Sequence, residues 1–107
     1  MVGSLKYLNS LSGRKIAVLG DMLELGDYSR DIHHKVGEEI NKLNIDIVIT
    51  SGIEAKEINN VVGCEKHHFK TNEEIIEYIN SIKKENYYIL IKASHGMNYV
   101  EIVKGIQ

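Results

Sequence analysis

Residues 14–20 read R-K-I-A-V-L-G, an apolar run closed by glycine that is too short for a helix and suits a strand buried on both faces. Ile32, Val36, Ile40 and Leu43 then recur at spacings of four, four and three, which is the period of an amphipathic helix. This leaves Asp31, Lys35, Glu38, Glu39 and Lys42 for solvent, with Ser29 placed to cap the helix. Residues 46–50, D-I-V-I-T, form a second buried strand, and Ser51 with Glu54 has the form of a capping box opening a helix that ends near Gly63. Residues 67–69 suit a brief edge strand. Thr71 and Glu74 make a second capping box, ahead of a helix with Ile75, Ile76, Ile79 and Ile82 as its apolar stripe. Residues 87–91, Y-Y-I-L-I, form the last strand. A terminal helix is expected to turn Tyr99, Val100, Val103 and Ile106 inward, and a short helix over residues 4–11 opens the chain.

Strands that alternate with helices and read as near-continuous apolar runs imply a parallel sheet covered on both faces and joined by right-handed crossovers. The expected fold class is a three-layer α/β sandwich with strand order 3-2-1-4. That order creates a topological switch point between strands one and four, where sheets of this kind bind ligands at their carboxyl ends.

A chain of 107 residues, 43% apolar and 26% charged, is the size of one small domain. Thirteen Lys and Arg against fifteen Asp and Glu give a net charge of −2, with both signs spread along the chain. This points to neither a nucleic-acid footprint nor a polybasic membrane anchor. No apolar run approaches the ~20 residues of a membrane span, and the start of the chain lacks the pattern of a secretory signal. The single cysteine, Cys64, excludes an internal disulfide and a multi-thiolate metal site and fits a reducing compartment, so a cytoplasmic location is expected.

Two strand ends carry the candidate chemistry. The first continues as G-D-M-L-E-L-G-D over residues 20–27, the fourth as K-A-S-H-G-M over residues 92–97, and the strand order sets them side by side. Asp21 is placed to accept hydrogen bonds from ribose hydroxyls, while Lys92 and Ser94 could hold a phosphate or carboxylate. Neither G-x-G-x-x-G nor the G-x-x-x-x-G-K-[ST] phosphate loop occurs. His33 and His34 lie about 100° apart around a helix, and His67 and His68 point to opposite faces of a strand, so neither pair converges on one ion and no metal site is expected. His33 reads as a structural residue or a support for the site. Cys64 has no basic neighbour to activate it, and Tyr7, Tyr87, Tyr88 and Tyr99 read as core or domain-contact residues.

The segments G-R-K-I-A-V-L-G-D-M-L-E-L-G (13–26), H-x-x-V-G-E (33–38), D-x-V-I-T-S-G (46–52) and I-K-A-S-H-G-M (91–97) together resemble the C-terminal domain of the Mur ligases, over essentially the whole chain and in order. The resemblance implies a Rossmann-like fold and a share in an ATP-dependent, ADP-forming amide ligase of peptidoglycan and cell-wall synthesis. It is nearest to the member that joins D-alanyl-D-alanine to UDP-N-acetylmuramoyl-tripeptide. It further implies that residues 1–107 are one substrate-closing domain, that the N-terminal and central ATPase domains are absent from the chain, and that ATP and magnesium are bound mainly by that central domain. The isolated chain is then expected to be inactive.

Carried over by position, Asp21 corresponds to an aspartate near the nucleotide ribose, and Lys92, Ser94 and His95 correspond to the K-G-S-R segment beside the incoming amino substrate. Ala93 stands where glycine is usual, and His95 where arginine is usual, which replaces a permanently charged fork by a ring often neutral at pH 7. The competing expectation is a free-standing nucleotide-binding or receiver-like regulatory module, built on Asp21, Thr50 or Ser51, and Lys92. A receiver would need an acidic phosphoacceptor at the end of the third strand, where the sequence has His67, His68 and Phe69.

Overall fold

The computed structural model of the chain describes residues 2–22, 28–82, 87–93 and 97–106. In chain order the elements are α1 (Val2–Ser10), β1 (Arg14–Leu19), α2 (Ser29–Ile40), β2 (Ile47–Ser51), α3 (Lys56–Val61), β3 (Glu65–Phe69), α4 (Asn72–Ile82), β4 (Tyr87–Lys92) and α5 (Val100–Gly105). The strands form one parallel sheet in the order β3-β2-β1-β4, as the sequence pattern predicts.

Alternation along the strands divides the core in two. Ala17, Leu19 and Val48 face one side, where they meet Leu5 and Leu8 of α1, Val36 and Ile40 of α2, and Ile58 of α3. Ile16, Val18, Ile47 and Ile49 face the other side, against Ile75 and Ile79 of α4 and Ile102 of α5. Each such Val, Leu or Ile side chain contributes roughly 1.5–3 kcal/mol when fully buried, and the two central strands, β1 and β2, carry them between two helical layers.

Several local expectations are corrected. β2 starts at Ile47, because the Asp46 carboxylate accepts the Lys15 N–H at 2.8 Å while the Asp46 N–H donates to the Lys15 carbonyl at 3.0 Å. Ser29 does not cap α2: it is the first helical residue, and its hydroxyl donates to Glu54 Oε2 at 3.1 Å. Ser51 and Glu54 form no capping box, since Ser51 ends β2 with its hydroxyl bonded to that of Tyr99, and α3 begins only at Lys56. The box at Thr71 and Glu74 does form: Thr71 Oγ1 accepts the Glu74 N–H at 3.2 Å, and Glu74 Oε1 accepts the Thr71 N–H at 3.1 Å.

On α5 the inward face is Tyr99 and Ile102, with Ile106 packed partly against it. Val100 and Val103 instead point outward, at 62% and 38% exposure. The buried face of α2 is His33, Val36, Gly37 and Ile40. Gly37 sits so near α3 that a Cβ there would lie 2.9 Å from Val61 Cβ and 3.1 Å from the Ile58 carbonyl, so Val61 packs directly on the α2 backbone.

Candidate functional site at the sheet switch point

β1 and β4 pair with Leu19 opposite Lys92, and the ladder continues one step further, the Gly20 N–H donating to the Lys92 carbonyl at 2.9 Å. The chain leaves β1 toward α2 on one face and leaves β4 toward α5 on the other. The crevice between them is the switch point predicted from the strand order.

Asp21 stands on the α2–α3 side of this crevice, two residues beyond Leu19, and is 7% exposed. Its Oδ1 accepts the Ala55 N–H at 2.6 Å. Ala55 is the N-cap of α3 and supplies no side-chain cap of its own, so a carboxylate from another strand satisfies an orphan donor at the positive end of that helix. Gly52, with φ of +98°, turns the chain beneath this contact, and a Cβ there would lie 2.6 Å from the Asp21 carboxyl carbon. One carboxylate oxygen is thereby committed to the protein.

His33 is fully buried behind the same strand end. Its Nε2 accepts the Met22 N–H at 3.1 Å, and its Nδ1 lies 2.7 Å from the Ser29 carbonyl and 3.2 Å from the Ser29 hydroxyl. A backbone amide can only donate, so Nε2 is bare and the proton resides on Nδ1.

Across the crevice, Ile91, Lys92, Ala93, Asn98, Tyr99, Val100 and Val103 line a pocket of about 430 Å³. Tyr99 forms its floor, 6% exposed, with its ring packed over Gly20 and its hydroxyl bonded to Ser51; burial and the nearby Asp21 carboxylate push its phenol up. The Asn72 amide holds the approach to α5 by donating to the carbonyls of Met97 and Asn98, both at 3.2 Å. Lys92 lines this pocket and Asp21 does not, although Asp21 directly follows Gly20, whose N–H bonds the Lys92 carbonyl; Ser94 and His95 lie outside the described residues.

Of the other described histidines, His34 and His67 lie elsewhere, and His68 is close enough for the Asp21 charge to act on it. His67 turns toward α4, where its Nε2 is 2.9 Å from the Tyr78 hydroxyl and 3.0 Å from Glu65 Oε2. Burial and the Glu65 carboxylate push the Tyr78 phenol up to about 12. His68 turns the opposite way, to Thr50 Oγ1 at 2.7 Å, and burial together with Lys56 lowers its pKa. His34 bridges to α3 through Glu57 Oε2 at 2.8 Å. Burial pushes the Cys64 thiol up, which keeps it protonated near neutral pH. Tyr99, Ser29 and Glu54 are residues around the site that the sequence did not single out as such. Ser29 and Glu54 bond across 25 residues and Ser51 and Tyr99 across 48, and no spacing rule reports contacts between elements so far apart in sequence.

The model of the Mur ligase, glutamate ligase domain, matches residues 1–95. Among relatives, a UDP-N-acetylmuramoyl-tripeptide–D-alanyl-D-alanine ligase of Bacillus subtilis is 34% identical over 115 residues, covering 99% of this chain and 25% of the relative. The enzyme of that name from Buchnera aphidicola of Acyrthosiphon pisum is 31% identical over 108 residues, covering 99% and 24%. The crystal structure of MurF ligase from Thermotoga maritima in complex with ADP superposes with a TM-score of 0.82 at 27% identity, covering 96% of this chain and 24% of that one. The chain thus spans about a quarter of the length of these relatives. With the domain model matched over most of its length and the fold shared with a solved enzyme, the chain belongs to the Mur ligase family.

Proposed function

We propose that the chain is the C-terminal domain of an ATP-dependent, ADP-forming ligase that adds D-alanyl-D-alanine to UDP-N-acetylmuramoyl-tripeptide in peptidoglycan precursor synthesis. The observation that carries this reading is a fold shared with an ADP-bound MurF ligase, with the ends of β1 and β4, which carry Asp21 and Lys92, paired side by side at the switch point. In the reaction, the γ-phosphoryl group of ATP passes to the tripeptide carboxylate, giving an acyl phosphate and ADP. The dipeptide amine then attacks the acyl carbon, and the tetrahedral intermediate expels phosphate as the amide forms.

This domain's part is binding and orientation. Asp21, with one oxygen held by Ala55, offers the other to a ribose hydroxyl. Lys92, Ser94 and His95 meet the dipeptide carboxylate, and an ammonium at Lys92 supplies the charge for that contact. Magnesium, in this reading, is held by the central domain of the full-length enzyme. Among the described residues no helix is long and apolar enough to cross a membrane.

The test is ADP release by the full-length polypeptide that carries this domain. ADP and phosphate are expected in equal amounts, and amide product only when both the tripeptide nucleotide and D-alanyl-D-alanine are present; the 107-residue chain alone should release none. Product formation that does not respond to D-alanyl-D-alanine would sink the assignment.

A further inference from the structure

His33 takes no part in the ligand contacts just described, yet it is fully buried and both of its ring nitrogens are engaged. From the first turns of α2 it reaches back eleven residues to Met22, the residue directly after Asp21. We propose that His33 is a positioning residue that sets the direction of the Asp21 carboxylate by holding the Met22 backbone. The inference rests on the reading of Asp21 as a nucleotide contact.

Asp21 has two points of attachment. Its side chain is tied at Oδ1 to the Ala55 N–H, and the backbone just beyond it is tied at Met22 to His33 Nε2. The two anchors share one frame, because Ser29, which accepts the His33 Nδ1–H, also donates through its hydroxyl to Glu54, the residue before Ala55. With both in place the free carboxylate oxygen has a fixed direction. With only the Ala55 bond left, the carboxylate pivots about Oδ1, and a hydroxyl that must be met within hydrogen-bond tolerance is met only part of the time. A single neutral tautomer of His33 serves both contacts, which an aliphatic side chain of similar size cannot do.

The experiment compares His33→Gln with His33→Asn in the full-length ligase. The glutamine amide oxygen reaches the position of ring Nε2 and can accept the Met22 N–H, whereas the asparagine amide ends near the position of Nδ1 and cannot. His33→Asn should raise the KM for ATP about tenfold, the loss of roughly one buried hydrogen bond, with the KM for D-alanyl-D-alanine unchanged. His33→Gln should restore most of the ATP value. A folded His33→Asn enzyme with an unaltered KM for ATP, or equal rises for both substrates in both variants, overturns the proposal.

Should His33→Asn not fold, the ring nitrogens of the unaltered protein decide, through a long-range nitrogen–proton NMR spectrum. Nε2 is expected bare, and a proton on Nε2 overturns the proposal. Asp21→Asn separates this idea from the one beneath it. If that change leaves the KM for ATP untouched, the nucleotide reading itself fails; if it raises KM while His33→Asn does not, only the positioning role fails.

Discussion

Gly52 lets one residue serve the chain and the site together. Its φ of +98° and the adjacent Asp21 carboxylate leave no room for a methyl group. Gly52→Ala is therefore expected to lower stability by about 1–3 kcal/mol, read as a drop in Tm, and to displace Asp21 from Ala55. A Tm within a degree or so of the parent would show that the turn is not needed. At position 95, His95→Arg in the full-length ligase introduces a permanently charged fork for a carboxylate and should lower the KM for D-alanyl-D-alanine; an unchanged value removes residue 95 from that contact. At this scale Asp21, Lys92 and His33 stand out in the sequence through strand-end placement and family resemblance. That Asp21 spends one oxygen on the start of α3 does not, because the partner is a backbone amide 34 residues away that carries no side-chain signature.

Between elements, α2 and α3 are joined at their exposed edge by His34 and Glu57. The bond to Glu57, helped by Glu38 and opposed by Arg30, raises the His34 pKa above its ordinary 6.5, and the same bond lowers Glu57 from its ordinary 4.5. The His34 contribution is thus complete below about pH 6.5 and fades as pH rises through the raised folded-state value; the Glu57 contribution is complete above about pH 4.5 and fades as pH falls through the lowered one. Stability from this contact should be greatest between those limits. His34→Ala is expected to flatten the decline above pH 6.5 in urea unfolding, and an identical pH profile in the variant would dismiss the contact.

The elements themselves were legible wherever hydrophobic period and flanking polar residues agree, as at Thr71 and Glu74. Ser51 and Glu54 have that same spacing and form no cap, because Ser51 is still within the parallel ladder, paired with Phe69. A three-residue signature cannot tell a strand's last residue from a helix's first. Val100 and Val103 mislead for a related reason: in a helix this short several apolar rotations fit, and the packing of Ile102 against α4 selects one.

For the whole molecule, the order β3-β2-β1-β4 follows from the alternation of strands and helices and the handedness of crossovers, so the crevice could be located before any coordinate was known. What the crevice joins depends on the rest of the enzyme. Peptides of this domain, traced by mass spectrometry through gel slices of source cells, are expected only in a polypeptide several times its 12.1 kDa. Their recovery at 12.1 kDa would instead favour a free-standing module.

Gly37 gives the crevice two unlike walls. Because Gly37 carries no side chain, Val61 of α3 packs directly on the α2 backbone, while Val36 and Ile40 meet Ile58 on the core side and His34 meets Glu57 at the exposed edge of the helix pair. His33 and the amide that holds Asp21 both ride on this pair. The opposite wall rests on β4, an edge strand among the described residues that is backed by α1, and on the short helix α5, which packs on α4. On the proposed reading the nucleotide side of the domain is the one tied by two helices, and any yielding to an incoming amino substrate falls to the strand and helix that face it.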